Sequence, residues 1–295
     1  MKTVLVTGGS GFVGRFIVDA LQQAGWRVRV AGRHRPPPGL LSSGDQFVAF
    51  DLEPSHDFGG VVEGVDALVH AGFAHVKGCY RGGEGSDIRG FWDRNFLATV
   101  RLFAAAEAAC IQHAVFLSSR AVYGRQPPGS PLSETTGCRP DTHYGLIKLA
   151  GEDFLKNRPN LCGVSLRVTG VYGEAAPGAD NKWSPLFADY LAGRTITPRF
   201  GTEVHGHDVA AAVLLMLEAP REQVDGQVYN VSDLALDRRD LLALVRGHRN
   251  ADNALPVQAD ASAYNVMETN RLRALGWRPG GRALLERTVA DMISA

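Results

Sequence analysis

A short apolar run, a glycine-rich turn and a helical pattern follow one another at the start of the chain. Residues 3–7, TVLVT, are a continuous apolar and β-branched run, which is typical of a buried parallel strand. Residues 12–24 repeat apolar side chains at every third or fourth position, which predicts an amphipathic helix. Gly8, Gly11 and Gly14 connect the two in GxxGxxG spacing. This succession predicts the first strand–turn–helix unit of a parallel α/β sheet.

The glycine turn, residues 7–14, has a spacing that suits a dinucleotide. A sharp turn from strand to helix needs glycine, and the backbone must approach a pyrophosphate without a Cβ between them. The phosphates would then lie at the positive N-terminus of the helix. We therefore expect the cofactor to contact Gly8, Gly11, Phe12, Val13 and Gly14. The alternative is a tight turn with no ligand.

Further apolar runs alternate with helical patterns and set the fold class. The runs lie at 27–31, 46–50, 67–70, 114–117 and 164–168, and the helical patterns at 91–109 and 144–155. This alternation predicts an α/β fold with a Rossmann-type doubly wound parallel sheet and a smaller, interleaved C-terminal substrate lobe. We expect the Rossmann domain at 1–170, with 204–231 returning to it, and the substrate lobe at 171–203 and 232–295.

The composition excludes several classes of partner. Lys plus Arg and Asp plus Glu are both 31, so the zero net charge gives no reason to expect nucleic acid or an anionic membrane as partner. No apolar stretch is long enough to span a bilayer, no secretory signal is recognisable, and a cytoplasmic location is expected. The cysteines are widely spaced and the histidines have no metal-binding spacing, so no metal is expected.

The ends of the second and third predicted strands bear on which cofactor binds. No carboxylate follows the second strand, whereas Arg33 lies there with His34 and Arg35 close behind. A cation without an acid favours a 2′-phosphate, so the sequence predicts NADP rather than NAD. The alternative is that these charges are only solvated. Asp51 and Leu52 follow the third strand and are expected at the adenine, unless Asp51 is only a turn cap.

Three polar residues predict acid–base chemistry. Ser119 ends the fifth predicted strand, and Tyr144 and Lys148 lie four residues apart, on one face of a predicted helix. A phenol with its ordinary pKa near 10 is a poor base, but a nearby ammonium and a positive nicotinamide favour the phenolate. Tyr144 could then exchange a proton with a substrate hydroxyl while Ser119 holds the same oxygen.

These motifs, with others along the chain, resemble one family. They are TGGSGFVG at 7–14, SSRAVYG at 118–124, YGLIK at 144–148, RVTGVYG at 167–173, HGHDVA at 205–210 and LGWRP at 275–279. The chain resembles an extended short-chain dehydrogenase/reductase of the NAD-dependent epimerase/dehydratase group. The resemblance implies catalysis by the Ser–Tyr–Lys group (Ser119, Tyr144 and Lys148). It also implies cofactor contacts from the glycine turn, Asp51-Leu52, the backbone of Ala71 and Gly72, and Tyr144 and Lys148. It further implies a homodimer paired through helices at about 91–109 and 144–157.

Three departures from the family pattern bear on the substrate. Arg120-Ala121 stands where nucleotide-sugar dehydratases carry an Asp-Glu pair, so elimination of water is not expected. Gly170 and Gly201 stand where enzymes of UDP- and dTDP-sugars usually carry Asn and Arg. These absences favour a smaller polar substrate.

We therefore expect an NAD(P)-dependent oxidoreductase that transfers hydride at a hydroxyl or carbonyl of a small sugar-like molecule. Two alternatives stay open: a UDP-sugar 4-epimerase with tightly bound NAD, and a non-catalytic dinucleotide sensor. The glycine-rich segment 72–90 suggests further substrate contacts or a lid, with four candidates: His75, Lys77, Tyr80 and Arg81.

Overall fold

The strands form two sheets. The computed structural model describes residues 1–36, 38–75, 83–176 and 179–294. In these residues the strands are β1 (Thr3–Thr7), β2 (Arg27–Gly32), β3 (Gln46–Ala49), β4 (Ala67–His70), β5 (His113–Ser119), β6 (Cys162–Val168), β7 (Gly170–Tyr172), β8 (Phe200–His205), β9 (Gln227–Val231) and β10 (Leu234–Asp237).

The helices alternate with the strands in the first half and cluster in the second. They are α1 (Phe12–Gln23), α2 (Phe58–Val62), α3 (Ile88–Trp92), α4 (Ala98–Ala108), α5 (His143–Lys156), α6 (Ser184–Leu191), α7 (Gly206–Glu218), α8 (Arg221–Val224), α9 (Arg238–Arg249), α10 (Asn270–Ala274) and α11 (Gly281–Ser294). A π-helical turn, Asp93–Leu97, joins α3 to α4, and a 3₁₀ turn, Arg120–Tyr123, follows β5.

The larger sheet confirms the predicted fold class. Its strand order is β3-β2-β1-β4-β5-β6-β9, and every neighbouring pair is parallel. The chain runs from β1 outward to β3 and then crosses back to β4 on the other side of β1. Such a reversal opens a crevice at the carboxyl ends of β1 and β4, where open α/β sheets bind their ligands.

Two apolar layers cover this sheet. One packs α1 and α7 on one face, around Ile17, Leu21 and Val213, all of which are fully buried. The other packs α2 and α4 on the opposite face, around Leu102 and Phe103. Because both faces are covered, the central strands are apolar without alternation, which explains why short apolar runs predicted them well.

A smaller sheet of order β10-β8-β7 was not expected from the sequence. β7 begins two residues after β6 and pairs in parallel with β8, while β10 pairs with β8 antiparallel. A third apolar cluster, around Trp183, Tyr190 and Leu242, lies on this second part of the chain. The assignment of 1–170 and 204–231 to one domain and of 171–203 and 232–295 to another stays a prediction.

A buried ion pair anchors α5 to the larger sheet. Glu152 on α5 accepts hydrogen bonds from Arg167 of β6, with Nη2 at 2.7 Å, and both side chains are almost fully enclosed. The Ser118 hydroxyl of β5 donates to the same carboxylate. A charge enclosed in this way needs its partner, so this contact fixes where α5 begins relative to the end of β5.

The helices expected at a dimer interface carry exposed leucines. Leu97 precedes α4 and is 41% exposed, and Leu146 on α5 is also 41% exposed. The homodimer stays a prediction. No helix in the described part of the chain is long and apolar enough to cross a membrane.

Glu152→Gln is expected to lower the free energy of unfolding by about 3 kcal/mol, because it leaves the Arg167 guanidinium buried without a counter-charge. Urea denaturation measures the change. The matched control is Glu218→Gln at the exposed end of α7, which should change stability by less than about 0.5 kcal/mol. Equal stability of the two variants would mean that the buried pair does not anchor α5.

Candidate active site

The glycine turn lies directly against the end of β4. Gly8 has a φ of +69°, and a Cβ there would lie 2.8 Å from the Cα of Gly72. A Cβ on Gly14 would overlap the carbonyl oxygen of Gly8. Only glycine therefore allows the turn, α1 and the end of β4 to meet this closely.

The start of α1 suits an anionic group. Gly11 is the N-cap, and it provides no side-chain hydrogen bond to the first turn. The N–H groups of Phe12 and Val13 belong to the set that an α-helix cannot satisfy internally. Such groups, together with the helix dipole, favour an anion, and the phosphates of a dinucleotide would fit here. The predicted cofactor roles of Phe12 and Val13 stay predictions.

Hydrogen bonds of Thr7 and His70 connect the ends of β1 and β4 next to the glycine turn. The Thr7 hydroxyl hydrogen-bonds with His70 Nδ1 at 2.6 Å and accepts from the Gly72 N–H at 3.2 Å. His70 Nε2 hydrogen-bonds with the Thr99 hydroxyl at 2.8 Å. Burial, with help from the charge of Lys148, lowers the pKa of His70 to about 3, so the ring is neutral at physiological pH. Thr7 and Thr99 were not predicted as part of the site, because a buried hydroxyl has no sequence signature.

Asn95 fixes the segment that follows Gly72. Its side-chain amide accepts from the Ala74 N–H at 2.6 Å and donates to the Ala74 carbonyl at 2.7 Å. Asn95 lies in the π-helical turn before α4, which turns its side chain toward the loop. Three candidates from this loop, Lys77, Tyr80 and Arg81, lie outside the described residues. The role of His75 stays a prediction.

The ends of β2 and β3, where the sequence predicted the adenine, carry polar groups of two kinds. Arg33 follows β2 and is exposed, and its side chain makes no hydrogen bond or ion pair with the described part of the chain. The Asp51 carboxylate accepts from the N–H of its neighbour Leu52 at 2.8 Å. An adenine contact from Asp51 or Leu52 stays a prediction.

The Ser–Tyr–Lys group meets where β5 ends and α5 begins. Ser119 is the last residue of β5, and its hydroxyl accepts from the Ala121 N–H at 3.2 Å. Thr142 caps α5 by accepting from the Gly145 N–H at 3.1 Å. A Cβ on Gly145 would lie 2.6 Å from the Ala121 carbonyl oxygen, so the start of α5 packs tightly on the turn after Ser119.

Lys148 lies one turn after Tyr144 on α5, and aromatic rings surround its amine. Its Nζ donates to the Leu117 carbonyl at 2.6 Å and lies 4.7 Å from the ring centre of Phe73 and 4.6 Å from that of Phe116. Phe73 also packs edge-on against the Tyr144 ring, at 4.9 Å between centroids. Burial lowers the pKa of Lys148 from 10.5 to about 7, while the Glu152 charge acts in the opposite direction. The ammonium and the neutral amine therefore coexist near neutral pH.

The smaller sheet starts directly after β6, the neighbour of β5, and β7 and β8 are called the wall below. Ser119 pairs in register with Val168, so Thr169 and Gly170 follow directly after the register partner of Ser119. The space that a side chain on Gly170 would occupy holds the ion pair of Lys182 with Glu203, and a Cβ there would lie 2.7 Å from both charged ends. Burial raises the pKa of Glu203, and Lys182 partly offsets this effect. A carboxylate and an ammonium therefore occupy the space where enzymes of UDP- and dTDP-sugars usually carry an asparagine side chain.

Metal binding has no support in the described ranges. No group of three or more His, Cys, Asp or Glu side chains is arranged to hold a metal ion there. The described cysteines Cys110, Cys138 and Cys162 are free thiols, and Cys79 lies outside the described residues.

The site geometry agrees with the comparison with known proteins. The model of the NAD dependent epimerase/dehydratase family matches residues 4–232. The chain belongs to this family. It is an enzyme of the extended short-chain dehydrogenase/reductase type, which confirms the resemblance drawn from the motifs. The alternative of a non-catalytic sensor is not supported.

Three relatives of this chain bear on its function, and the first two have a length similar to its own. A putative UDP-glucose 4-epimerase of Methanocaldococcus jannaschii is 27% identical over 298 residues, which cover 94% of this chain and 93% of that one. The solved UDP-glucose 4-epimerase of Thermus thermophilus in complex with NAD is 26% identical with a TM-score of 0.79, covering 99% of both chains. A uronate dehydrogenase of Pseudomonas syringae pv. tomato is 26% identical over 174 residues, 58% of this chain and 60% of that one.

The preference for NADP over NAD is wrong, because the T. thermophilus relative is in complex with NAD. The physical reason lies in Arg33. Its side chain is exposed and has no partner in the described part of the chain, so it is a solvated charge and does not define a phosphate pocket.

Lys148→Met is expected to stabilise the protein more at pH 7 than at pH 10. The folded pKa of Lys148 is depressed, so its contribution to stability is present above pH 10.5 and is lost as the pH falls toward 7. Methionine has no such dependence. The difference in unfolding free energy between variant and wild type should therefore grow by up to a few kcal/mol, roughly, as the pH falls.

Urea denaturation at several pH values between 7 and 10 measures this difference. Lys156→Met is the control, since Lys156 is an exposed lysine on the same helix. A difference for Lys148→Met that stays constant with pH, like that of the control, would contradict a depressed pKa.

Proposed function

We propose that the protein is an NAD-dependent epimerase that inverts a secondary alcohol of a nucleotide-linked sugar and keeps its cofactor bound. The observation that carries the proposal is the extent of the match to the M. jannaschii relative. That match spans 94% of this chain, including β7, β8 and the other elements that form the substrate wall. The match to the uronate dehydrogenase covers only 58% of the chain.

The crevice between β1 and β4 suits NAD. The glycine turn and the start of α1 would hold its phosphates, and the backbone at Ala71 and Gly72 would border its nicotinamide half. Bound NAD would supply the hydride acceptor and, in the return step, the hydride donor.

The Ser–Tyr–Lys group would handle the proton. The Ser119 hydroxyl would donate to the substrate oxygen and fix its position. Tyr144 would take the proton of the substrate hydroxyl as hydride leaves the carbon, and return it when hydride is added to the other face. The protonated form of Lys148 would favour the phenolate of Tyr144. His70, buried and neutral, would add no competing acid or base.

A net dehydrogenase of a small sugar acid is the second candidate, and the substrate wall favours it. The carboxylate of Glu203, paired with Lys182, lies beside Gly170, and Gly201 brings no cation to β8. A wall with this composition offers less to a diphosphate than a paired asparagine and arginine would. In that case NAD would be consumed in stoichiometric amounts.

Denaturing the purified protein and identifying the released nucleotide distinguishes the two. The epimerase is expected to release NAD close to one equivalent and to interconvert UDP-glucose and UDP-galactose without net change in absorbance of reduced cofactor. An empty protein that reduces added NAD in the presence of a uronic acid would overturn the proposal in favour of the second candidate.

Tyr144→Phe is expected to lower the turnover rate by about 10²- to 10⁴-fold, because it removes the group that exchanges the proton. NAD affinity should stay close to wild type, since the phosphate-binding turn is untouched. Steady-state kinetics and NAD titration measure both. Tyr229→Phe is the control, because the Tyr229 hydroxyl donates to the Gln223 carbonyl of α8. A near wild-type rate for Tyr144→Phe would refute the assigned role.

A further inference from the structure

Arg120 follows Ser119 directly and is the first residue of the 3₁₀ turn after β5. The Cα atoms of two consecutive residues are about 3.8 Å apart, so the side chain of this cation starts beside that of the residue whose hydroxyl would hold the substrate. The proton chemistry of the Ser–Tyr–Lys group does not use this cation.

The guanidinium is fixed on one side and open on the other. Its Nη2 donates to the Asn265 carbonyl at 2.8 Å, and its Cζ lies 4.9 Å from the ring centre of Tyr264. Nε is enclosed without a hydrogen-bond partner. Nη1 makes no hydrogen bond with the described part of the chain and is not among the enclosed unpaired atoms there. The group is therefore held in place with donor capacity left over.

Arg120 also lacks a counter-charge. Among the described residues, no carboxylate lies within 4 Å of it, whereas the buried Arg167 is paired with Glu152. Leaving a half-buried guanidinium unpaired costs free energy, which an arriving anion would offset.

A series of contacts connects Arg120 with the strand position beside Ser119. The Tyr264 hydroxyl accepts from the Thr202 N–H at 3.2 Å, and the Thr202 and Thr169 hydroxyls lie 2.6 Å apart. Thr169 follows Val168, the register partner of Ser119. Arg120 is thus connected through Tyr264, Thr202 and Thr169 to the strand position beside Ser119.

We infer that Arg120 binds a carboxylate on the carbon next to the one that reacts, so that the preferred substrate is a uronic acid. In a hexuronate that reacts at carbon 4, the carboxylate is attached to carbon 5, the adjacent atom. The diphosphate of a nucleotide sugar is attached to carbon 1, across the ring. A cation next to Ser119 therefore matches the carboxylate, and planar guanidinium donors suit a carboxylate geometrically. The inference rests on the proposed function for the reaction at carbon 4 and for the nucleotide part of the substrate.

The test compares UDP-glucuronate with UDP-glucose, which share the diphosphate and differ in the carboxylate. Wild type is expected to prefer UDP-glucuronate. Arg120→Gln should lower kcat/KM for UDP-glucuronate by about 10- to 100-fold while leaving UDP-glucose within about twofold. Arg125→Gln is the control, because the Arg125 side chain is 94% exposed in the same loop. Equal losses for both sugars would assign Arg120 to the diphosphate and overturn the inference, as would no loss for either.

A second measurement keeps the inference testable if neither nucleotide sugar turns over, a result that would refute the proposed function alone. Calorimetric titration of the NAD-loaded protein with free glucuronate and free glucose is expected to show tighter binding of glucuronate. Arg120→Gln should abolish the preference, and Arg120→Lys, which keeps the charge, should retain part of it if the glutamine variant fails to fold. Equal affinity of wild type for both sugars would overturn the inference.

Discussion

The backbone of Gly8 lies against the backbone of Gly72, and this contact places both halves of the candidate site. With no side chain on either residue, the turn after β1 and the end of β4 meet at the point where the strand order of the sheet reverses. The N-terminus of α1 then faces the crevice, as an anion requires. Hydrogen bonds of Thr7 with His70 and Gly72 connect the same two strand ends at the base of the crevice.

The reacting group is held by a second, electrostatic constraint. The ion pair of Glu152 with Arg167 fixes α5 against β5 and β6, and the Ser118 hydroxyl joins it. One turn earlier on α5, Lys148 is enclosed by aromatic rings and depends on burial for its lowered pKa. The position of α5 and the proton affinity of Lys148 therefore come from the same packing. The Lys182–Glu203 pair lies beside Gly170 of the smaller sheet, and Arg120 lies in the turn after β5. In the proposed function these charges determine what kind of sugar can approach.

The first half of the fold could be predicted because covered parallel strands are apolar throughout and the glycine turn has a strict physical reason. The smaller sheet could not, because β7 is only Gly170–Tyr172 and β8 is interrupted by polar side chains. Ser119, Tyr144 and Lys148 were found by their spacing, and their roles stay predictions. The pairing of Lys182 with Glu203, 21 residues apart, has no local signature. The error over NADP arose because charge near a strand end says nothing about whether that charge is solvated.

The central claim is that hydride leaves the sugar for bound NAD and returns to the same carbon. Incubation with UDP-glucuronate and UDP-glucose carrying deuterium at carbon 4, followed by mass spectrometry of the recovered sugar and of the released nucleotide, tests it most directly. We expect deuterium on the nicotinamide in samples quenched early, and deuterium kept at carbon 4 of both epimers at equilibrium. Exchange of that deuterium with solvent, or product formed with no label ever on the nicotinamide, would contradict the claim.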